Sequence, residues 1–423
     1  MKNNIIATLL FVYILFTFYI TDIVYIHVIL FHAILIFYLC IERKILFELY
    51  CKLKYKIIIQ LYIFMFLFCS IWGLLSICIN ETLNFSFFFV FFKIPRVLIS
   101  MLVLIIIVYK YYPKDNIYIR FMKILINACC IYVISTIIMI VFPEFKDIWY
   151  SFFQGGVSDV NVIAMQQTLE EGASVLTRSG LKGYSGLDCG FFCFISGIFI
   201  IYLLSISEKI SNIYYIKFLL LILGCFFYSR TTLFLLIIGS IIFIPYLLFY
   251  KRKIIYKFLL LFIIIFSIIM FIWYTNYDNP AVQWSIGPIY NLIQYIISGG
   301  TNSLDLGTSG NMILTFKDSM IFDNDFKNLL IGHGIYSNIS DSGFYSQYYF
   351  YGIIGLLVYY GTYFFTGIII CLSRKNNDIG LKIIILILLI TVIPMEYKAD
   401  MMMYYIPIII VISLLNNKKN ISK

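Results

Sequence analysis

Arginines beside apolar segments are the residues of this chain most able to bind an anion. Arg178 lies in the stretch LTRSGLKGYSG, and Arg230 lies in YSRTTLF between two apolar segments. An ionisable residue at membrane depth costs about 2.5–3.5 kcal/mol on insertion scales and therefore indicates a functional site. Because a guanidinium binds phosphate through paired hydrogen bonds, the two arginines predict a phosphate or diphosphate site. The alternatives are a solvated loop residue for Arg178 and a side chain that snorkels to the headgroups for Arg230.

Two lysines would add positive charge to this site. Lys182 follows Arg178 in the same stretch, and Lys398 lies in MEYKADM near the end of the chain. Glu396 or Asp400 would orient them. A solvated loop residue is the alternative for each lysine. With both lysines included, the diphosphate-binding set contains four cations.

Three side chains are candidates for a general base, namely His333, Asp341 and Asp188. An imidazole exchanges a proton near neutral pH, and His333 lies between two glycines that free the backbone to bring it near a substrate. The alternative is a histidine in a simple turn. Asp341 begins an Asp-Ser-Gly triplet, which is also typical of a helix N-cap. Asp188 lies near the start of an apolar segment and is a candidate partner for Arg178.

A polar, glycine-rich stretch comes directly before an apolar segment at residues 332–361. It predicts a loop that brings polar groups to the headgroup boundary, where a lipid-linked substrate would be. The residues assigned to this substrate loop are Gly332, Gly334, Ser342, Gly343 and Tyr345. The apolar segment that follows contains Gly352, Gly355 and Gly361, which predict a small-residue face for helix packing, with contact to a lipid tail as the alternative.

The sequence predicts neither a metal site nor a cofactor. The chain has 3 histidines and 10 cysteines, and the cysteines lie in or beside apolar segments. Cys189 and Cys193 share a helix face, which indicates packing. The triplet Asp323-Asn324-Asp325 resembles the metal signature of nucleotide-sugar transferases, but three polar residues in a loop are common.

Transmembrane helices are the elements that must position these residues. The chain has 423 residues, of which 62% are hydrophobic and 12% are charged, and its mean hydropathy is +0.96. A soluble domain has about a quarter charged residues. Since a bilayer core needs roughly 20 apolar residues per helical span, the sequence predicts an all-α, polytopic integral membrane protein with about twelve transmembrane helices. The predicted ranges are residues 5–20, 23–41, 57–79, 87–109, 122–142, 187–206, 214–229, 231–250, 254–274, 349–371, 380–395 and 401–415.

The distribution of charge predicts the orientation in the membrane. Lys and Arg accumulate in cytoplasmic loops, and most of the 31 basic residues fall on the side that holds both termini, opposite most of the 21 acidic residues. Both termini are therefore expected in the cytoplasm, and residues 143–186 and 275–348 form extracytoplasmic loops within one membrane domain, residues 1–423. Long loops are usually functional, and helix-like spacing predicts short helices at 161–175 and 281–297. The net charge of +10 reflects this bias and does not indicate binding to nucleic acid.

Four short motifs follow one another along the chain. They are Arg-Ser-Gly-Leu with Gly-Tyr-Ser-Gly at 178–186, Ser-Arg-Thr at 229–231, LLIGHGI at 329–335 and DSGFYSQYYFYGIIG at 341–355. In this ordered set and in its whole architecture, the chain resembles bacterial O-antigen and capsule repeat-unit polymerases and the related O-antigen ligases. One departure is Asn311 in TSGNMILTF, where members often carry an arginine. Lys317 would substitute for that arginine in part.

The resemblance implies glycosyl transfer at the extracytoplasmic face of the bacterial inner membrane. The donor would be an undecaprenyl diphosphate-linked oligosaccharide and the acceptor a sugar hydroxyl, with no metal and no nucleotide sugar. Arg178 and Arg230 would stabilise the diphosphate as its charge develops, while a base assists the hydroxyl. The product would be O-antigen of lipopolysaccharide or capsule, and a chain-length regulator and a flippase are the expected partners besides the lipid bilayer.

Two other functions fit the same features. An O-antigen ligase would transfer the glycan to the lipid A core. A flippase or transporter would move lipid-linked sugar across the membrane without extending it. Transporters commonly contain internal repeats and charged residues at the bilayer midplane, whereas here no repeat is visible and the polar candidates gather at one surface.

Overall fold

The computed structural model describes most of the chain. The described residues are 2–20, 23–51, 56–82, 92–112, 116–154, 179–206, 211–275, 325–335, 342–373 and 378–415, together with residues 287, 290, 291, 294, 295, 297 and 298. The short helix expected at residues 161–175 lies outside these ranges, as does most of the one expected at 281–297.

The described chain is predominantly helical. The helices in the first part of the chain are α1 (Lys2–Phe16), α2 (Val24–Ile41), α3 (Arg43–Cys51), α4 (Lys56–Asn80), α5 (Lys93–Tyr111), α6 (Ile117–Val141) and α7 (Pro143–Phe152). Those in the second part are α8 (Leu187–Ile206), α9 (Ile213–Tyr228), α10 (Arg230–Tyr250), α11 (Arg252–Thr275), α12 (Phe326–Ile331), α13 (Gly343–Leu372), α14 (Ile379–Lys398) and α15 (Met402–Leu415). Two short antiparallel pairs join β1 (Tyr19–Ile20) to β2 (Phe153–Gln154) and β3 (Ser179–Gly180) to β4 (Gly183–Tyr184).

Among the described residues, 7 helices are long and apolar enough to cross a membrane, namely α4, α5, α6, α8, α10, α13 and α14. The helices α2 and α3 meet at an angle of 65° and give an eighth span if the bent pair counts as one. The helices α1, α9 and α15 are apolar but shorter. The chain is therefore an all-α membrane protein, and the larger number of about twelve crossings stays a prediction.

Every apolar segment predicted to be a helix contains one in the structure, and several helix ends differ from the predicted bounds. The helix predicted at 349–371 begins earlier, at Gly343, because Ser342 is its N-cap. The Ser342 hydroxyl accepts a hydrogen bond from the Tyr345 backbone N–H at 3.4 Å, which satisfies a donor that the first turn leaves open. The segment predicted from residue 87 is helical from Lys93, and residues 83–91 lie outside the described part.

Contacts within the chain divide it into two compact units. The first unit contains Met1–Leu15, Ile29–Leu125 and Phe316–Lys423, and the second contains Phe16–Val28 and Ile126–Thr315. The prediction of one membrane domain over residues 1–423 stays a prediction.

In the first unit, α13 packs on α4, α12 and α14, and α5 packs on α15. Buried hydroxyls join these helices. The Tyr62 hydroxyl of α4 shares a hydrogen bond with Thr366 Oγ1 of α13 at 2.9 Å, and the Tyr363 hydroxyl donates to the Leu388 carbonyl of α14 at 3.0 Å. Because a buried polar group without a partner is costly, these bonds fix the helices in one register.

In the second unit, α8 is buried along almost its whole length and packs on α9 and α10. Small residues permit the close approach. A Cβ atom at Gly190 would lie 2.5 Å from Thr232 Oγ1, and one at Gly197 would lie 2.6 Å from Leu236 Cδ1. All 10 cysteines lie in the described part of the chain and carry free thiols, and Cys189 and Cys193 are buried within α8, in agreement with the packing interpretation.

Candidate functional site

A β-hairpin with a tight turn carries Lys182 in the second unit. The hairpin joins Ser179–Gly180 to Gly183–Tyr184, and Gly183 has a φ of 81°, which an L-residue adopts only with strain. Aromatic residues of α7 hold the turn. Trp149 Nε1 donates to the Leu181 carbonyl at 2.7 Å, and the Tyr150 hydroxyl donates to the Gly180 carbonyl at 3.1 Å. The position of Lys182 is therefore fixed by its neighbours along the hairpin.

Lys182 and Asp188 form an ion pair, so two predicted site residues contact each other directly. Both are largely buried, with side chains 15% and 26% exposed. Asp188 lies in the first turn of α8, where the helix dipole also favours a carboxylate. The described partner of Asp188 is thus Lys182. Arg178, which the sequence proposed as its partner, lies outside the described residues.

Arg230 is the first residue of α10, and Ser229 is the N-cap. Gly190 and Thr232, which touch, lie in the first turns of α8 and α10, so the N-terminal ends of these two helices are neighbours. The buried Ser229 hydroxyl makes no cap hydrogen bond and has no hydrogen-bond partner among the described residues. Helix N-termini carry partial positive charge and open N–H groups. This end of the unit therefore combines Arg230 and Lys182 with two helix N-termini.

A network of buried hydroxyls lies beside this end of α8. The Tyr132 hydroxyl shares a hydrogen bond with Ser185 Oγ at 2.7 Å, and Cys189 Sγ lies 3.7 Å from the same hydroxyl. Farther along α6, Thr136 Oγ1 and the Tyr228 hydroxyl are 2.7 Å apart. This network could not be predicted from the sequence, because its members are far apart along the chain and each alone is an ordinary residue in or beside an apolar helix.

In the first unit, the loop that contains His333 binds to the backbone of α13. The His333 N–H donates to the Tyr349 carbonyl at 2.7 Å, and the Gly334 N–H donates to the Phe350 carbonyl at 3.3 Å. The imidazole stacks on the Tyr349 ring with centroids 4.1 Å apart. Asn80 Nδ2 of α4 donates to the Gly332 carbonyl at 2.8 Å. The loop is therefore held on both sides, and His333 is only half-buried.

The helix α13 is broken at Gly352, which has a φ of 64° and a ψ of −172°. Carbonyls left open at the break find donors outside the helix: Ser76 Oγ donates to Phe350 at 3.2 Å and Trp72 Nε1 to Tyr351 at 2.9 Å. A Cβ atom at Gly352 would collide with the Leu330 carbonyl. Gly352 thus permits close packing on α12, but from a break in the helix and not from a continuous helix face, and a Cβ atom at Gly361 would meet no described atom within 4 Å.

Gly332 and Gly334 allow the loop that contains His333 to pack closely against neighbouring backbone. Their φ angles are 84° and 65°, and a Cβ atom would collide with backbone at both positions. The nearest atoms belong to Phe350 for Gly332 and to Ile77 for Gly334. The glycines on either side of His333 are therefore explained by a close approach of two backbones, and the role of the imidazole as a base stays a prediction.

Glu396 is a fully buried carboxylate that the sequence analysis named only as an orienting residue. Oε2 accepts from the Tyr360 hydroxyl at 2.5 Å, and Oε1 accepts from the backbone N–H groups of Met401 and Met402 at 2.5 Å each. The carboxylate thereby caps the N-terminus of α15. Gly343 lies against Oε2, and a Cβ atom there would collide with it. An acidic residue inside an apolar segment was the sequence signal that could have found this position.

Other predicted residues of the first unit lie at the start of α13 and the end of α14. Ser342 Oγ is 3.4 Å from the Glu396 carbonyl, and Gln347 Nε2 donates to Asp400 Oδ2 at 3.2 Å. Tyr345 is buried in the first turn of α13, and Lys398 is the half-buried last residue of α14. Asp341, a predicted general base, lies outside the described residues.

The predicted site residues thus fall into two sets. Lys182, Asp188 and Arg230 belong to the second unit. The first unit holds Gly332, His333, Gly334, Ser342, Gly343, Tyr345 and Lys398. Within each set, the structure brings several members together.

Within the described ranges, no group of three or more His, Cys, Asp and Glu residues could hold a metal ion. Asp325, the last residue of the Asp323-Asn324-Asp325 triplet, is the N-cap of α12 and accepts from the Lys327 N–H at 3.2 Å. This residue therefore has a structural role as a helix cap.

Comparison with known proteins finds no matching family model, no matching curated protein and no matching solved structure. The family suggested by the sequence motifs therefore stays a proposal.

Proposed function

We propose that this chain is a membrane glycosyltransferase that polymerises undecaprenyl diphosphate-linked repeat units of O-antigen or capsule at the extracytoplasmic face of the bacterial plasma membrane. One observation supports the proposal. At one end of the second unit, Arg230 and the Lys182–Asp188 pair lie beside the N-termini of α8 and α10. Charge counting predicts this end to be extracytoplasmic.

This end of the unit suits a diphosphate leaving group. In the reaction, the acceptor hydroxyl attacks the anomeric carbon, the bond from that carbon to the phosphate oxygen breaks, and undecaprenyl diphosphate leaves with the electron pair. The developing negative charge needs donors that are already in place, because preorganised groups cost no reorganisation during the reaction. Arg230 offers a bidentate guanidinium, the N-terminus of α10 adds its partial positive charge, and the Ser229 hydroxyl adds a neutral donor.

The hydroxyl proton must pass to a base. Asp188 is engaged with the Lys182 ammonium, so its carboxylate stabilises the charge of Lys182 at this end of the unit. Asp188 is the candidate proton acceptor that belongs to the same unit as Arg230, and His333 and Asp341, which belong to the other unit, stay predictions. Proton transfer by a positioned side chain contributes typically about 10²–10⁴ in rate, so loss of the base would leave slow but measurable extension.

Replacement of Arg230 tests the diphosphate site. We expect Arg230→Ala to abolish chain extension, because the guanidinium stabilises charge that develops only in the transition state. Arg252→Ala is the matched control, since Arg252 begins the next helix and its Nε donates to the Leu248 carbonyl at 3.1 Å. Polymer length is read on gels from cells that carry each variant at equal membrane levels. Normal polymer with Arg230→Ala would reject the site, and Arg178→Ala is expected to behave like Arg230→Ala.

An O-antigen ligase is the alternative enzyme. It would use the same diphosphate leaving group, so the cation cluster serves both reactions. Deletion of the gene in a lipopolysaccharide-making host separates them. Core that carries a single repeat indicates a lost polymerase, whereas bare core indicates a lost ligase.

A lipid-linked oligosaccharide flippase or transporter is the alternative of another class. The break in α13 at Gly352 favours it, because transporters use interrupted helices whose open carbonyls bind substrate or ions. Here, however, the carbonyls of Tyr349, Phe350 and Tyr351 accept hydrogen bonds from protein donors. Scrambling of lipid-linked sugar by purified protein in vesicles, without extension, would support a flippase.

A further inference from the structure

An apolar groove lies among α3, α4, α5 and α15 of the first unit. Its volume is about 520 Å³. The lining includes Leu49 and Tyr50 of α3, side chains between residues 59 and 67 of α4, side chains between 94 and 102 of α5, and Ile406 of α15. Only the two tyrosines of the lining carry polar side-chain atoms, and the Tyr62 hydroxyl is bound to Thr366. Water has no set of partners in such a space.

The groove follows the helix axes and opens to the side. The lining residues of α4 and of α5 each extend over about 12 Å at a rise of 1.5 Å per residue. Both helices are long and apolar enough to cross a membrane. Ile63 and Leu67, which line the groove, are 54% and 56% exposed. A long, apolar, laterally open space between such helices has the form of a site for one hydrocarbon chain.

Basic residues lie beside the part of the groove that α3 lines. Lys56, the first residue of α4, is exposed and places Nζ 5.5 Å from the centroid of the Tyr50 ring, which lines the groove. Arg43, the exposed first residue of α3, shares a helix face with Leu46 and Tyr50 because their spacings are three and four residues. The groove therefore has cations where the head of a lipid would be.

Neighbouring acidic residues are engaged with other helices. Glu42 forms an ion pair with Lys110 of α5, and Glu48 accepts a hydrogen bond from the Tyr109 hydroxyl at 2.9 Å. These contacts bind α3 and the residue before it to α5. Among the described residues, Lys56 has a ring contact with the lining of the groove and Arg43 shares a helix face with lining residues of α3.

We propose that this groove is a binding site for an anionic phospholipid, with one acyl chain between α4 and α5 and the headgroup at Lys56 and Arg43. The site is separate from the proposed diphosphate site, which lies in the second unit. Basic residues on this side of the chain predict the cytoplasmic leaflet, where anionic lipids attract lysine and arginine.

A groove-filling substitution tests the acyl-chain site. Ile63→Trp fills the groove, whereas Ile71→Trp adds the same bulk on α4 at a residue that is 67% exposed and does not line the groove. Both positions are open, so both variants should fold. The full chain in detergent is incubated with phosphatidylglycerol, and bound lipid is counted by native mass spectrometry. We expect the adduct to be lost with Ile63→Trp and retained with Ile71→Trp.

A charge substitution tests recognition of the headgroup. Phosphatidylcholine with the same acyl chains is the neutral comparison. We expect Lys56→Gln to lower the affinity for phosphatidylglycerol roughly fivefold, because that factor corresponds to the attraction of one basic residue for an anionic lipid. The affinity for phosphatidylcholine should not change. Lys44→Gln is the control, because Lys44 is exposed on the face of α3 that also carries Phe47.

Several results would overturn the proposal. Equal phosphatidylglycerol adducts in Ile63→Trp and Ile71→Trp would place the lipid elsewhere. Equal retention of phosphatidylglycerol and phosphatidylcholine by the unaltered chain would remove the headgroup site. A dimer that excludes lipid, or a co-purified polyprenyl phosphate that phosphatidylglycerol fails to displace, would assign the groove to another occupant.

Discussion

Glu396 shows how a single charged residue is kept inside an apolar helix. Its carboxylate is fully buried in α14 and accepts hydrogen bonds from one hydroxyl and two backbone N–H groups. Lys182 and Asp188, in contrast, stabilise each other as an ion pair. Both residues were predicted site residues, but their pairing follows from the hairpin and not from their spacing. Partners of this kind are hard to predict, because Tyr360 and Glu396 come from different helices.

Replacement of Glu396 tests its structural role. We expect Glu396→Leu to lower the melting temperature strongly, because each buried donor left without an acceptor costs about 1–3 kcal/mol. Glu396→Gln should lower it less, since an amide oxygen still accepts from the Met401 and Met402 N–H groups and the amide N–H can donate to Tyr360. Thermal unfolding of purified protein in detergent measures both. Equal melting temperatures for the two variants would show that the hydrogen bonds to Glu396 contribute nothing.

At the scale of elements, the apolar segments predicted the helices well, because a span needs only length and hydropathy. The break in α13 was not predicted. Gly352 was interpreted as part of a packing face, yet its backbone leaves the helical region to make room for the Leu330 carbonyl. The spacing of glycines within one helix does not predict such a break. The break depends on a loop from another part of the chain, which includes Gly332 and packs against Gly352. The Ser342 cap, by contrast, is local and could be predicted.

A pair of glycine substitutions tests the break. Gly352→Ala should destabilise the protein by about 1–3 kcal/mol from its backbone conformation alone, before the collision with Leu330 is added. Gly361→Ala is the control on the same helix, where a Cβ atom meets nothing within 4 Å and alanine favours the helix. Melting temperatures in detergent compare the two. Equal values would contradict the strained conformation at Gly352.

At the scale of the whole molecule, sequence and structure agree on an all-α membrane protein. Arg230 was predicted as a site residue because an ionisable residue at membrane depth is costly, and Lys182 because it lies near Arg178 in the sequence. The arrangement of these cations was not predicted. It depends on packing between helices, because a contact between Gly190 and Thr232 joins the ends of α8 and α10. Orientation, the number of crossings and the reaction itself stay predictions, which experiments on the full chain can test.

Extension of a lipid-linked repeat unit by the purified protein tests the central claim most directly. Undecaprenyl diphosphate-linked repeat unit is supplied in detergent without metal or nucleotide sugar, and product masses are measured over time. We expect masses that increase in steps of one repeat, with release of undecaprenyl diphosphate, for the unaltered chain and for Arg252→Ala but not for Arg230→Ala. A lipid-linked unit that keeps its starting mass with the unaltered chain, or normal extension by Arg230→Ala, would contradict the account.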